Sequence, residues 1–127
     1  MNIREKRTHK YLEELGFVVH TVTKPSRIGL NHDLFGLWDH IAVAKEDFYL
    51  ALIQGKTIVR FKEGDYMFGY IVTSFQKGDC MFVQTKSRKQ YGKDIAKYVG
   101  FPSDNKFIFV WEKNKSNRYE LIVQKLK

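Results

Sequence analysis

The chain has one cysteine, two prolines and no long apolar run, and each scarcity excludes something. With Cys80 alone there is no internal disulfide and no thiolate cage for zinc, which removes disulfide scaffolds and zinc ribbons. No stretch approaches the roughly 20 apolar residues that span a bilayer, so no membrane partner is expected. Residues 1–10 are charged rather than apolar, which predicts no secretory signal. Acidic side chains are the other shortage: 14 Asp and Glu stand against 22 Lys and Arg, a formal charge of +8. Apolar and aromatic residues are plentiful, 43% and 15% of 127 residues, which excludes a disordered chain. The expectation is a single soluble cytoplasmic domain over residues 1–127 with a polyanionic partner, most often nucleic acid.

The pattern along the chain predicts a first helix capped by Asn2, with Glu5 in capping-box position and Gly16 as its stop. Ile3, Thr8, Tyr11, Leu12 and Leu15 are expected on its inner face. Phe17–Thr23 has the β-branched composition of a strand, and Pro25 and Gly29 predict a loop over Lys24–Gly36. Strands are expected at Leu37–Ala44, Phe48–Lys56, Thr57–Lys62, Met67–Phe75 and Cys80–Thr85. Turns are expected at Glu63–Asp65 and Lys77–Asp79. The spacing of Tyr91, Ile95, Tyr98 and Val99 predicts a second helix from Ser87 or Arg88 to Val99. A closing hairpin, Phe107–Trp111 with Arg118–Val123, follows. The order is helix, strands, helix, two strands, an α/β domain.

Some apparent motifs carry no chemistry. Gly55-Lys56-Thr57 lacks the upstream glycine of a phosphate loop and precedes a strand instead of a helix. His9, His20, His32 and His40 have no ligand spacing and read as surface or half-buried residues, and Cys80 reads as a small apolar residue. Asp39 is different. It stands in an apolar strand on the face of Leu37, Ile41 and Val43, where a carboxylate is unfavourable unless it is paired, hydrogen-bonded or bound to a cation. Two Gln-x-Lys elements, Gln54/Lys56 and Gln84/Lys86, each end a strand, and their i and i+2 side chains point together. An Asp and a Gln oxygen on neighbouring strands suit Mg²⁺, and the Lys can orient a water or offset phosphate charge.

Glu5, Asp39 and a Gln-x-Lys strand before a basic helix together resemble the PD-(D/E)XK nuclease superfamily. The text around Asp39, Asp33-Leu34-Phe35-Gly36-Leu37-Trp38-Asp39-His40-Ile41-Ala42, resembles its small phage- and archaea-type, Holliday-junction-resolvase-like members. Phe82–Ser87, then a helix and Phe107–Trp111, is similar to the second half of that core. The resemblance implies a restriction-endonuclease-like αβββαβ core: a mixed central sheet with an extra β-hairpin and flanking helices. It implies a Mg²⁺- or Mn²⁺-dependent deoxyribonuclease, structure-specific or resolvase-like, acting on duplex, branched or nicked DNA.

By residue, the resemblance makes Asp39 the main metal ligand, with Gln84 in the place usually held by an acid and the Thr85 carbonyl beside it. Lys86 becomes the catalytic lysine and Glu5 the helix-borne acid. Gln54/Lys56 is the alternative pair, closer in sequence to Asp39, whereas Gln84/Lys86 is followed at once by the helix. Choosing Gln84/Lys86 requires an inserted pair of strands. Resolvase-like members imply a homodimer, although no dimer signature stands in the sequence.

Positive charge concentrates around these residues, +3 over residues 1–10 and +4 over residues 84–97. Arg4, Arg7, Lys10, Arg88, Lys89, Lys93 and Lys97 are the expected phosphate contacts. The neutral Gln84 keeps a second reading open: a nuclease-like fold that only binds nucleic acid or a protein partner.

Overall fold

The computed structural model describes residues 1–22, 34–35, 37–61 and 71–126. In chain order it contains α1 (Ile3–Leu15), β1 (Phe17–Thr21), β2 (His40–Ala44), β3 (Phe48–Ile53) and β4 (Thr57–Phe61). Then come β5 (Ile71–Phe75), β6 (Cys80–Lys86), α2 (Lys93–Val99), β7 (Lys106–Lys113) and β8 (Tyr119–Leu126). Most of the Lys24–Gly36 loop, His32, the turn at Glu63–Asp65 and the first part of the expected Met67–Phe75 strand lie outside the described residues.

The first helix forms as its caps dictate. The Asn2 Oδ1 accepts the Glu5 backbone N–H at 2.8 Å, and Asn2 Nδ2 donates to Glu5 Oε1 at 2.9 Å. Gly16 stops it at φ 107°, a left-handed conformation that glycine adopts freely. The buried row is Glu5, Thr8, Leu12 and Leu15, whereas Ile3 is exposed. Ile3 sits beside the cap, and the inner row starts at Glu5 instead.

Two sheets follow. The larger runs β1-β2-β6-β7-β8, antiparallel except for the parallel pair β6 and β7, which α2 connects. The smaller, β4-β3-β5, is antiparallel throughout. Choosing Gln84/Lys86 required an extra pair of strands; between β2 and β6 the chain forms the three strands of the smaller sheet. It leaves and returns at one point of the ladder, where Gly78 N–H donates to Ala44 O and Ala44 N–H to Asp79 O, both at 2.9 Å.

The large sheet buries both faces. One packs Ala42, Met81, Val83, Phe107 and Phe109 against α1 and the smaller sheet. The other packs Ile108 and Val110 against Trp38 and Tyr98, with Phe82 at the edge of that cluster. Each large apolar side chain so buried contributes about 1.5–3 kcal/mol. Lys106, although 3% exposed, is satisfied: its ammonium donates to the Val99 and Phe101 carbonyls at 2.7 and 2.8 Å, capping the end of α2.

Several element boundaries differ from expectation, among them β3, which ends at Ile53 and not at Lys56, and β8, which runs on to Leu126. β2 begins at His40, three residues later than Leu37, because Leu34 and Trp38 exchange backbone hydrogen bonds of 2.8 and 3.0 Å in a tight reversal. α2 begins at Lys93 instead of Ser87 or Arg88. The Gln124 amide bonds the Gln90 backbone in both directions, at 2.9 and 3.1 Å, and holds that segment out of the helix.

Candidate functional site

Asp39 lies just before β2, at its N-terminal end instead of within it. Its neighbours His40 and Ile41 pair with Val83 and Phe82, which brings Asp39 to the end of that ladder. The Thr85 backbone N–H donates to Asp39 Oδ2 at 3.2 Å, and the Asp39 carbonyl accepts from Val22 N–H at 2.8 Å. Asp39, Gln84 and Thr85 are all buried, at 2%, 5% and 9% exposure. Gln84 Oε1 has no hydrogen-bond partner among the described residues. A buried amide oxygen left in that state is unfavourable by about 1–3 kcal/mol, unless something absent from the chain itself fills its lone pairs.

Lys86, two residues along β6, is half-buried. It opens into a cavity of about 350 Å³ shared with Ser87, Arg88, Lys89, Gln90 and Asp94. Strand alternation puts Gln84 and Lys86 on one side of β6 and Val83 and Thr85 on the other.

The alternative pair Gln54/Lys56 is placed elsewhere. Gln54 and Lys56 do not end a strand as expected: residues 54–56 form the turn between β3 and β4, with Gln54 and Gly55 at φ 55° and 66° and Lys56 N–H bonding Ile53 O at 3.1 Å, so the i and i+2 side chains are not set by strand alternation. That turn belongs to the smaller sheet, and β2 pairs with β1 and β6, not with β3. The Glu5 carboxylate is engaged by Asn2 in the capping box. Among the described residues no group of three His, Cys, Asp or Glu side chains converges.

Behind the site runs a buried polar chain that the sequence reading missed. His40, read there as surface or half-buried, is fully buried. Burial, assisted by the nearby charge of His9, pushes its pKa down to about 3, so the ring is neutral and carries one proton. Trp111 Nε1–H and the Thr85 hydroxyl donate to Thr8 Oγ1 at 2.8 and 3.0 Å, and the Thr8 hydroxyl donates to Arg4 O at 3.1 Å. Each hydroxyl has one proton, which settles the rest. His40 Nε2–H donates to Thr85 Oγ1 at 2.7 Å, and His40 Nδ1 accepts from Thr21 at 2.7 Å. Thr21 in turn accepts from His9 Nδ1–H at 2.7 Å. Thr85 is therefore held from both sides of β6: its hydroxyl by His40 and Thr8, its N–H by Asp39. One signal was available in the sequence. His40, Ala42 and Ala44 alternate along β2, and that row faces the core.

The basic residues are divided in their duties. Arg7, Lys10, Arg88, Lys89, Lys93 and Lys97 are exposed. The Arg4 and Arg7 guanidinium groups lie over the Tyr119 ring at 5.3 and 4.6 Å, and Arg4 Nε also donates to Trp111 O at 3.0 Å. No described helix is long and apolar enough to cross a membrane.

Comparison with protein-family models, with curated proteins and with solved structures returned no match to this chain.

Proposed function

We propose that this protein is a divalent-metal-dependent nuclease of PD-(D/E)XK type acting on DNA. The observation that carries the reading is the buried Gln84 oxygen, without a hydrogen-bond partner among the described residues, next along β6 to Thr85, whose N–H holds the buried Asp39 carboxylate, with Lys86 one residue further on. Hard oxygen donors of this kind suit Mg²⁺ or Mn²⁺. The order of elements supports it: α1, the antiparallel strands β1, β2 and β6, then α2 and the parallel strand β7. On this reading β3–β5 is an insertion and β8 an appended hairpin strand.

Asp39, Gln84 and the Thr85 carbonyl would hold the ion. When bound, it stabilises negative charge developing on a phosphodiester oxygen. Lys86 holds the attacking water by hydrogen bonding and offsets phosphate charge through its ammonium. Arg88 and Lys89, lining the same cavity, keep the adjacent phosphates in register. Thr85, clamped by His40 and Thr8, keeps the strand rigid where its carbonyl would help to hold the ion.

The test is cleavage of duplex, nicked and branched DNA in Mg²⁺ and in Mn²⁺. Asp39→Asn and Lys86→Ala are expected to lower the single-turnover rate by about 10²-fold or more, the scale of losing a transition-state contact. Lys56→Ala is expected to retain that rate at saturating DNA. If Lys56→Ala is dead and Lys86→Ala is active, the assignment is wrong.

The neutral Gln84 favours one rival, a nuclease-like fold that binds nucleic acid or a protein without cutting. Gln84→Glu separates the two. Restoring a second carboxylate is expected to tighten Mn²⁺ binding by roughly tenfold, because ligand charge sets affinity for hard cations. Wild-type protein that neither binds Mn²⁺ calorimetrically nor cuts any substrate, yet binds DNA, would establish the rival.

A further inference from the structure

The Gln54-Gly55-Lys56 turn, remote from Asp39 in the sheet order, is not idle. The Gly55 carbonyl accepts the Val123 N–H at 2.6 Å, which docks the β3–β4 turn onto β8. Lys56 thereby comes to line a cavity of about 260 Å³ together with Lys89, Tyr91 and Gln124. Lys89 also lines the cavity of about 350 Å³ that holds Lys86 and Arg88. The two cavities are thus neighbours with a shared cation. Asp94 is the one carboxylate lining either of them among the described residues.

Both walls are built. The Gly55–Val123 bond fixes one, and the two-way bond between the Gln124 amide and the Gln90 backbone fixes the other, next to Lys89 and Tyr91. Tyr91 leaves 66% of its surface in water beside these cations. A large ring exposed beside them offers a stacking surface, and cations arrayed along a trough match a ligand whose charge repeats.

We propose that Lys56, Lys89 and Tyr91 form a second binding site, a track for the sugar-phosphate backbone of a single nucleic-acid strand. The strand runs on from the Lys86 cavity, with a base stacked on Tyr91. The inference takes nucleic acid as the ligand from the reading above, but it does not need the metal or the cleavage step.

The experiment is therefore run in EDTA, with fluorescein-labelled oligo-dT titrated by the full chain at several salt concentrations. Each phosphate contact to a single strand contributes about 0.7 to the slope of log K against log salt. The Lys56→Ala/Lys89→Ala variant is expected to lose about 1.4 of that slope. Tyr91→Ala is expected to bind roughly tenfold more weakly with the slope unchanged, as loss of a stacked base predicts. Lys45→Ala, at the far end of β2, is expected to bind as wild type does.

A double variant with the wild-type slope overturns the track. So does displacement of the oligonucleotide by millimolar inorganic phosphate or a mononucleotide, which would mark a site for a free phosphate. Loss of slope in a protein that cuts nothing leaves the track standing and removes the nuclease reading. Normal cleavage with an unaltered double variant does the reverse.

Discussion

A neutral imidazole with both nitrogens engaged in the sheet interior, as His40 has, makes stability depend on pH in a calculable direction. The folded ring has its pKa pushed down to about 3 from 6.5, chiefly by burial. Between those values the unfolded chain binds a proton at this site and the folded chain does not. Stability is therefore full above about pH 6.5 and falls as pH drops, by up to about 1.4 kcal/mol per unit. From pH 6.5 to pH 5, a window above the usual carboxylate range, the loss is expected to reach about 2 kcal/mol. Urea midpoints across that window measure it, beside His40→Gln, which is expected to be less stable at pH 7.5 but with a shallower acid slope. A wild-type midpoint that does not fall toward pH 5 would show that the ring is already charged in the fold. The contrast with Asp39 shows what one residue reveals by itself. A carboxylate among apolar strand residues announces an unusual environment in the sequence. The partners of His40, Thr21 and Thr85, and Thr8 and Trp111 beyond them, come from distant positions that no local pattern relates.

The caps of α1 were legible because their signals are local. Asn2, Glu5 and Gly16 lie within one helix, and their backbone requirements depend on nothing distant. Gly16 adds a tertiary duty invisible at that range: a Cβ there would run into the Arg60 guanidinium. That group bonds Leu15 O at 3.3 Å, pairs with Glu46 and lies 4.6 Å from the centre of the Phe48 ring. Gly16→Ala thus meets both a left-handed φ and a displaced arginine. A loss of about 1–2 kcal/mol is expected, against about 1 for the conformation alone. In the background Arg60→Ala the same substitution is expected to lose only the conformational part, and the double-mutant cycle reads the difference. Equal losses in both backgrounds would mean the guanidinium moves aside freely. The start of α2 was illegible for the opposite reason: apolar spacing continued back to Tyr91, while the amide that holds Gln90 out of the helix sits on β8.

At the scale of the molecule, the β3–β5 sheet has the connections of an insertion and the packing of a core. Its chain enters and leaves at Ala44 and Gly78, so excising residues 46–77 would leave the two ends within backbone hydrogen-bonding reach. By connectivity alone it is removable. Yet Phe48, Leu50, Ile58 and Phe75 are all 5% exposed or less and share a cluster with Leu12, Phe17, Met81 and Phe109. The Phe17 ring meets the Phe48 and Phe75 rings edge-on at 5.3 Å each. Sequence patterning predicted these strands but not their pairing, because alternation says which residues are buried and not which sheet they bury against. A shared core predicts shared unfolding. Both tryptophans, Trp38 and Trp111, belong to the larger sheet's surroundings and none to the smaller, so their fluorescence reports one part while far-ultraviolet circular dichroism reports both. The two signals are expected to give one transition with the same midpoint in urea, and the 46–77 deletion is expected to show no cooperative transition. Dichroism that falls before the tryptophan signal, or a deletion variant that unfolds cooperatively, would make the smaller sheet a separable attachment. The core now assigned to both sheets would then have to be divided between them.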